Sequence, residues 1–549
     1  MTDVLIVNAR VIDGTGNPWF YGDVALQGRR IERIAPPGTI DRACAATVID
    51  AASHVVCPGF IDIQSHSIIP WLSDRRSVSK VTQGITTEIL GEGWTPAPVG
   101  GENLSAFGGI LATRGEEFSD VWEARGNSWT RFDDWLNDIE QRTVSVNFGS
   151  FIGGSTVRRY GMADRIGDPS PCELARMCQV TGEAMEDGAF GVATALIYPP
   201  NAFSTTDELV EVMNVVHRHN GVHITHIRSE GDKIYEGLDE CLEIAERSGV
   251  ATEIYHLKAA GRDNWPKMTV VIDRIAAARA RGLDVGADMY PYDGAGTGLE
   301  ACLPPWADEN GKLNEHVRDP EKRAAILAEM HNPAGDWEAM GHMNGPEAIL
   351  LAQFHEPRNK QFEGRTVADV ADEMGLPWQE TVLELLEREG RNIFCMYMMM
   401  SDENLKLQFA QPWIKFGTDA GGIDPARDAH KGLVHPRAYG TYPRILGRYV
   451  RECGWLTLED AIRKASSAVA DRLGLRDRGL LREGMFADVV IFDPDTVVDH
   501  ATYTDPHKLS EGIRDVFVNG TAVVRDGAHT DACPGMRVNG PGYVARKNA

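Results

Sequence analysis

The stretch STTDELVEVMNVVHRHNGVHITHIRSEGDKIYEGLDECLEIAERSGVATEIYHLKAAG (204–261) sets the fold class. Thr205 and Glu208 resemble a capping box, and Asn220-Gly221 supplies a stop, which together bound an amphipathic helix. GVHITHIRSEG (221–231) reads as a short buried strand running into a loop. IYEGLDECLEIAERSG (234–249) is the next helix, and VATEIYHLKAAG (250–261) the next strand. Helices and buried strands alternating at this spacing point to an α/β protein, a parallel (β/α)8 TIM-like barrel. Each of the two strands ends in a histidine, His226 and His256.

Outward from this unit the texture changes. VLIVNARVIDGTG (4–16), DVALQGRRIERIA (23–35) and ATVIDAASHVVCPGF (46–60) alternate short apolar runs with turns, and ADVVIFDPDTVVD (487–499), IRDVFVNGTAVVRDG (513–527) and MRVNG (536–540) do the same. Both chain ends are therefore expected to build one small β-sandwich, from residues 1–56 and 479–549. The barrel occupies 57–478, with a loop-rich insertion near 300–350.

A chain of 549 residues, 43% hydrophobic, is long enough for such a core. Its formal charge of -25 speaks against a sequence-independent grip on nucleic acid. Nine scattered cysteines without a C-x-x-C pair read as reduced, mostly buried thiols. The start lacks a basic and apolar leader, and no run reaches transmembrane length. The expectation is a cytoplasmic protein acting on a small molecule, with no membrane partner and with oligomerisation open.

Side chains alternate along a strand, so in CPGFIDIQSHS (57–67) Asp62, Gln64 and His66 share a face, the barrel interior. In GITTEILGEGW (84–94), Glu88 and Glu92 share a face, with Glu92 at the glycine-flanked end. Asp419, in IKFGTDAGG (414–422), again stands where an apolar run meets glycines. Strand-end residues of a barrel converge on one mouth, and imidazoles with carboxylates suit zinc or a similar ion. Such an ion makes hydroxide available from a bound water near neutral pH, and a free carboxylate beside it can carry a proton to a leaving nitrogen. Taken singly, these residues have duller explanations. Strand histidines such as His54, His223, His342 and His435 are more often hydrogen-bonded core residues, Glu88 suits a salt bridge, and Asp419 suits a helix N-cap. Their joint appearance at successive strand ends favours the metal.

These strings, in this order, resemble the amidohydrolase superfamily and within it the D-aminoacylase (N-acyl-D-amino-acid deacylase) family. PGFIDIQSHS, GAFGVATALIYPP, THIRSEG, YHLKAAG, DMYPYDGAGT, GTDA and HPRAYGTYPRILG carry the resemblance, with the sandwich strings at both ends. It implies that His226 and His256 hold a tightly bound Zn2+, and that Asp419 is the proton shuttle beside a second, weaker ion. It also implies that Lys258, Tyr290 and Arg437 hold the carboxylate of an N-acyl-D-amino acid, with Tyr198 lining the pocket.

The chain departs from the family twice. The usual His-x-His is Gln64-Ser65-His66, which weakens that half of the site, because an amide oxygen is a poorer zinc ligand than an imidazole. The bridging cysteine is absent, with Gly93 at its position, and Glu92 is the candidate replacement. The implied reaction is hydrolysis of a C–N amide bond by metal-bound hydroxide, with Glu92, His226 and His256 as ligands and His66 and Gln64 in the weaker half. Hydrolysis of a cyclic amide, hydantoin- or lactam-like, is the rival chemistry, and a barrel that only binds or scaffolds is the rival class. Met396, Met398, Met399 and Met400 suit either a soft pocket wall or core packing.

Overall fold

Short, almost wholly buried runs become the barrel wall. In the computed structural model, which describes residues 2–107, 124–333 and 337–545, they are β1 (Phe60–Asp62), β2 (Ile85–Leu90), β3 (Asn147–Ser150, continued by Ile152–Gly153) and β4 (Gly191–Ala195). They continue as β5 (Val222–His226), β6 (Ala251–Ile254), β7 (Val285–Met289) and β8 (Ile414–Phe416). Neighbours pair in parallel throughout. The ring closes through a parallel bridge between Ser65 and Ala420, just beyond β1 and β8. Strands covered on both faces need no polar alternation, and the polar side chains they carry, such as Glu88, Glu253 and Lys415, are buried as well.

The helix after β4 spans Thr206–Arg218, and Thr205 Oγ1 accepts from the Glu208 N–H at 3.2 Å. Only half of the expected capping box forms, because the Glu208 carboxylate turns instead to the buried Arg158 guanidinium. The stop is also shifted by one residue. Asn220, at φ 56°, takes the left-handed conformation that glycine would otherwise supply. The next helix, Ile234–Ser248, buries Ile234, Leu238, Cys241, Ile244 and Ala245 on one face and ends on Gly249 at φ 71°.

Between β7 and β8 the chain leaves the barrel for longer than the 300–350 expected of an insertion. Gly294–Gly298, Phe394–Met398 and Ile349–Gln353 form an antiparallel sheet. Helices stand where loops were expected: Pro320–His331 starts with proline in its first turn and Asp319 accepting from the N–H groups of Glu321 and Lys322. This excursion has its own core, into which Met399 and Met400 are packed. The two chain ends share a single nine-stranded sheet. Strand Thr2–Val11 branches it, pairing on one side with Ala45–Asp50 and Val55–Pro58 and on the other with Phe20–Gln27, and this makes the small β-sandwich.

Beneath the barrel mouth lies a buried ion network. Lys80 is fully buried and donates to Asp62 Oδ2 at 2.6 Å, Thr418 Oγ1 at 2.6 Å and the Ala420 carbonyl at 2.7 Å. It thereby ties β1 to β8 at the seam where the ring closes. Removing one partner of a buried pair strands the other, so Lys80→Met is expected to lower stability by about 3–5 kcal/mol, read as a shift in urea midpoint. An unshifted midpoint would show that the seam does not depend on this ammonium.

Among the described residues no helix is long and apolar enough to cross a membrane, and all nine cysteines are unpaired.

Candidate active site

The turn after β2 is built so that Glu92 enters the barrel mouth. Gly91 has φ 112°, and a Cβ there would lie 2.3 Å from the Phe151 carbonyl oxygen, so only glycine fits. Gly93 has φ 64°, with its virtual Cβ 3.0 Å from the Ala195 side chain. A side chain at 93 would face strain and a tight contact, whereas Glu92 beside it reaches the mouth.

Glu92 Oε1 lies 3.2 Å from His256 Nε2 and 3.7 Å from His226 Nδ1, while Oε2 lies 3.2 Å from His66 Nε2. Two groups of donors result, Glu92 with His226 and His256, and Glu92 with His66 and Asp419, each within 4.8 Å. Glu92 is common to both. Burial opposes its ionisation, but hydrogen bonds with His226, His256 and His66 outweigh that and hold its carboxyl well below the usual range.

Backbone strain marks the same places. His256 and Asp419 sit at φ 32° and φ 48°, conformations that cost a non-glycine residue on the order of 1–3 kcal/mol. The His256 N–H donates to Asp288 Oδ1 at 2.9 Å and the Asp419 N–H to the Gln64 carbonyl at 2.9 Å, which holds both in place. Asp419 caps no helix, since the helix that follows begins at Pro425 under Asp424. Its Oδ1 stands 2.8 Å from His66 Nε2 and its Oδ2 2.8 Å from Arg437 Nη1. Burial again raises the carboxyl, but the Arg437 charge and the His66 contact outweigh it and keep Asp419 ionised below its ordinary range.

Gln64 is buried, and its Nε2 donates to Glu92 Oε2 at 2.5 Å. An ionised carboxylate demands the N–H end of the amide, so Gln64 meets Glu92 as a donor. Its Oε1 is buried without a hydrogen-bond partner.

Lys258, Tyr290 and Arg437 lie together beside this cluster. The Arg437 guanidinium sits 4.5 Å from the centre of the Tyr290 ring and the Lys258 ammonium 5.8 Å from it. Arg437 is buried, yet its Nε and Nη1 hydrogens point at no acceptor, even though Nη1 forms the ion pair with Asp419. A buried guanidinium with idle donors is suited to a carboxylate from outside. Tyr198 is 37% exposed at the rim, its hydroxyl 2.9 Å from Thr297 Oγ1 and its ring 5.8 Å from that of His226.

The residues with duller explanations largely keep them. His223 is a core residue beside Thr194 Oγ1 at 3.0 Å, and burial pushes its pKa down to about 3. His435 faces the Gly294 carbonyl and accepts from the Arg437 N–H, which makes it a support of the arginine. His54 and His342 lie away from the mouth, near Asp493 and the Met330 carbonyl. Glu88 is fully buried among Ser65, Ser67, Ser77 and Lys80.

Sequence reasoning passed over Glu230. It is buried directly behind the two histidines, Oε2 at 3.3 Å from His226 Nε2 and Oε1 at 3.0 Å from His256 Nδ1. Its signal was an acidic residue four positions after a strand-end histidine. It had no way to stand out among 80 acidic residues.

The donor set suits a divalent cation. Three carboxylates (Glu92, Glu230, Asp419) face two fixed cations, Lys258 and Arg437. The surplus negative charge is felt by His226, where burial lowers the pKa but Glu230 and Glu92 raise it to about 9. An ion held by two imidazoles and a carboxylate relieves that surplus, in the pattern of zinc sites that keep a further position open.

The chain is similar to known proteins over nearly its whole length. Residues 47–524 match the profile of an amidohydrolase family. The chain is 32% identical over 530 residues to D-aminoacylase of Alcaligenes xylosoxydans xylosoxydans, covering 96% of both chains. It is equally, 32%, identical to the N-acyl-D-glutamate deacylase of the same organism, covering 100% of this chain and 97% of that one. It superposes with a TM-score of 0.79 on the N-acyl-D-glutamate deacylase of Bordetella bronchiseptica, solved with zinc and a phosphonate mimic of the tetrahedral intermediate. That match is 28% identical and covers 98% of this chain and 99% of that one.

Proposed function

The chain belongs to the amidohydrolase family, and on that premise we propose that it is a metal-dependent hydrolase that removes the acyl group from N-acyl-D-amino acids. The observation that carries this is the meeting of Glu92, His226 and His256 beside the cationic pocket of Lys258, Tyr290 and Arg437. Glu92, His226 and His256 would hold one ion tightly. His66 would attend a second, weaker ion or orient the substrate carbonyl. A bound divalent ion supplies Lewis acidity, which polarises the amide carbonyl and makes water a nucleophile near neutral pH.

The chain's own residues supply the rest. Arg437 and Lys258 grip the α-carboxylate and place the scissile amide over the metal cluster. Asp419, held ionised by Arg437, takes a proton from the attacking water and returns it to the leaving nitrogen, so that a free amine departs. Gln64 steadies Glu92 through its N–H. Equal identity to a D-aminoacylase and to an N-acyl-D-glutamate deacylase does not discriminate the side chain.

The test is metal analysis of the purified protein with a hydrolysis panel of N-acyl-D- and N-acyl-L-amino acids, with and without added zinc. We expect a tightly held ion and hydrolysis of D substrates. A metal-free protein inert across the panel would return the scaffold reading, and preference for cyclic amides the hydantoin-like one. Arg437→Ala is expected to cost about 2–5 kcal/mol in kcat/KM toward N-acyl-D-amino acids, and clearly less toward their carboxamides. Equal losses on both would remove Arg437 from the carboxylate clamp.

A further inference from the structure

Glu230 belongs to none of the roles above, yet it faces both candidate ligand histidines from behind. Each imidazole turns one nitrogen to Glu92 and the other to Glu230. In His226, Nδ1 lies 3.7 Å from Glu92 Oε1 and Nε2 lies 3.3 Å from Glu230 Oε2, close enough to pair but not aligned as a hydrogen bond. In His256, Nε2 lies 3.2 Å from Glu92 Oε1 and Nδ1 lies 3.0 Å from Glu230 Oε1. The rings are 4.5 Å apart and 83° to one another, so one carboxylate with two oxygens spans both.

An imidazole that gives one lone pair to a metal carries its proton on the other nitrogen, and that N–H needs an acceptor fixing both tautomer and ring angle. The Lys258 ammonium sharpens the point. Its Nζ is 2.6 Å from His256 Nδ1 and 2.7 Å from Glu230 Oε1. A protonated Nδ1 cannot accept from Lys258, so both donors then converge on Glu230 Oε1. Glu230 also has nowhere to go. It is buried; Glu338 Oε1 accepts from Ser229 Oγ at 2.6 Å, from the Gly231 N–H at 2.7 Å and from the Glu230 N–H; and its own carbonyl accepts from the Ala260 N–H at 2.7 Å.

We propose that Glu230 is the positioning residue of the metal centre, a single carboxylate that accepts the outer N–H of both His226 and His256 and holds Lys258 clear of the metal-facing side. The excursion between β7 and β8 takes part through Glu338, which anchors the Glu230 loop. This rests on the reading of His226 and His256 as ligands and goes beyond it by assigning what orients them.

The test is zinc affinity by chelator competition on the full-length protein, together with the visible spectrum of the cobalt-substituted form. Glu230→Gln keeps the volume but offers one acceptor oxygen instead of two. It is expected to weaken zinc binding about 10–100-fold, the usual cost of losing the outer partner of a metal-bound histidine, and to alter the cobalt spectrum. Where the single variant strands the Lys258 ammonium and misfolds, Glu230→Gln with Lys258→Met removes that charge and is expected to show the same loss. Parental zinc affinity and an unchanged cobalt spectrum in a folded variant would overturn the proposal while leaving the ligand assignment intact. Failure of the parent protein itself to bind zinc would overturn both.

Discussion

Glu92→Ala is expected to abolish tight metal binding and amide hydrolysis together. The case rests on the turn after β2, where Gly91 and Gly93 flank Glu92 and its side chain reaches the mouth. With Glu92 gone, two imidazoles remain for the tight position, and the surplus of negative charge that attracts a cation falls by one. Affinity should drop by more than the about 10–100-fold that loss of an outer partner costs, so the purified variant should contain little zinc. Glu92→Gln should fall between the parent and alanine, since it keeps an oxygen without the charge. Metal content per chain decides the matter, and alanine protein as fully loaded as the parent would exclude Glu92 as a ligand.

The second large effect is expected at Asp419. Asp419→Asn should keep its metal and much of its substrate affinity while kcat falls by about 10²–10⁴, the range for loss of a placed proton carrier. The sign of the pH dependence follows from its environment. A carboxyl held below the ordinary range stays ionised as the pH drops, so in the parent Asp419 remains usable as a base through mildly acidic pH and fails only as pH falls through that lowered pKa. Arg437 supplies the main lowering interaction. Arg437→Ala should therefore move the acid limb of the kcat/KM profile to higher pH, and Asp419→Asn should remove that limb. An asparagine variant with parental kcat would assign proton transfer elsewhere.

Much of the site could be read before any coordinates, for reasons of range. A strand of about five residues ending in histidine and glycine is a local pattern, and barrel geometry sends every such end to one mouth. His226, His256, Asp419 and Glu92 were singled out in that way, and the structure brings them to one mouth; Lys258, Tyr290 and Arg437 came through resemblance to relatives with the same strings. Glu88 and Glu92, on one face of one strand, could be ranked only by position. Closure of the ring places Glu88 against Lys80 and three serines, and Glu92 against three imidazoles. The excursion was underestimated because its strands, such as Gly294–Gly298, are too glycine-rich to carry an apolar pattern.

The sequence by itself therefore determined the periodicity, the class of fold and the kinds of donor atom available at the strand ends, because these depend on residues close together in the chain. Only the tertiary structure decided which of those atoms meet. It made Gln64 a donor to Glu92, freed Asp419 from any capping role and set Glu230 behind both histidines. Such encounters bring together segments as far apart in the chain as Gln64 and Asp419. They arise from the stagger and closure of the barrel, which no local run of residues encodes.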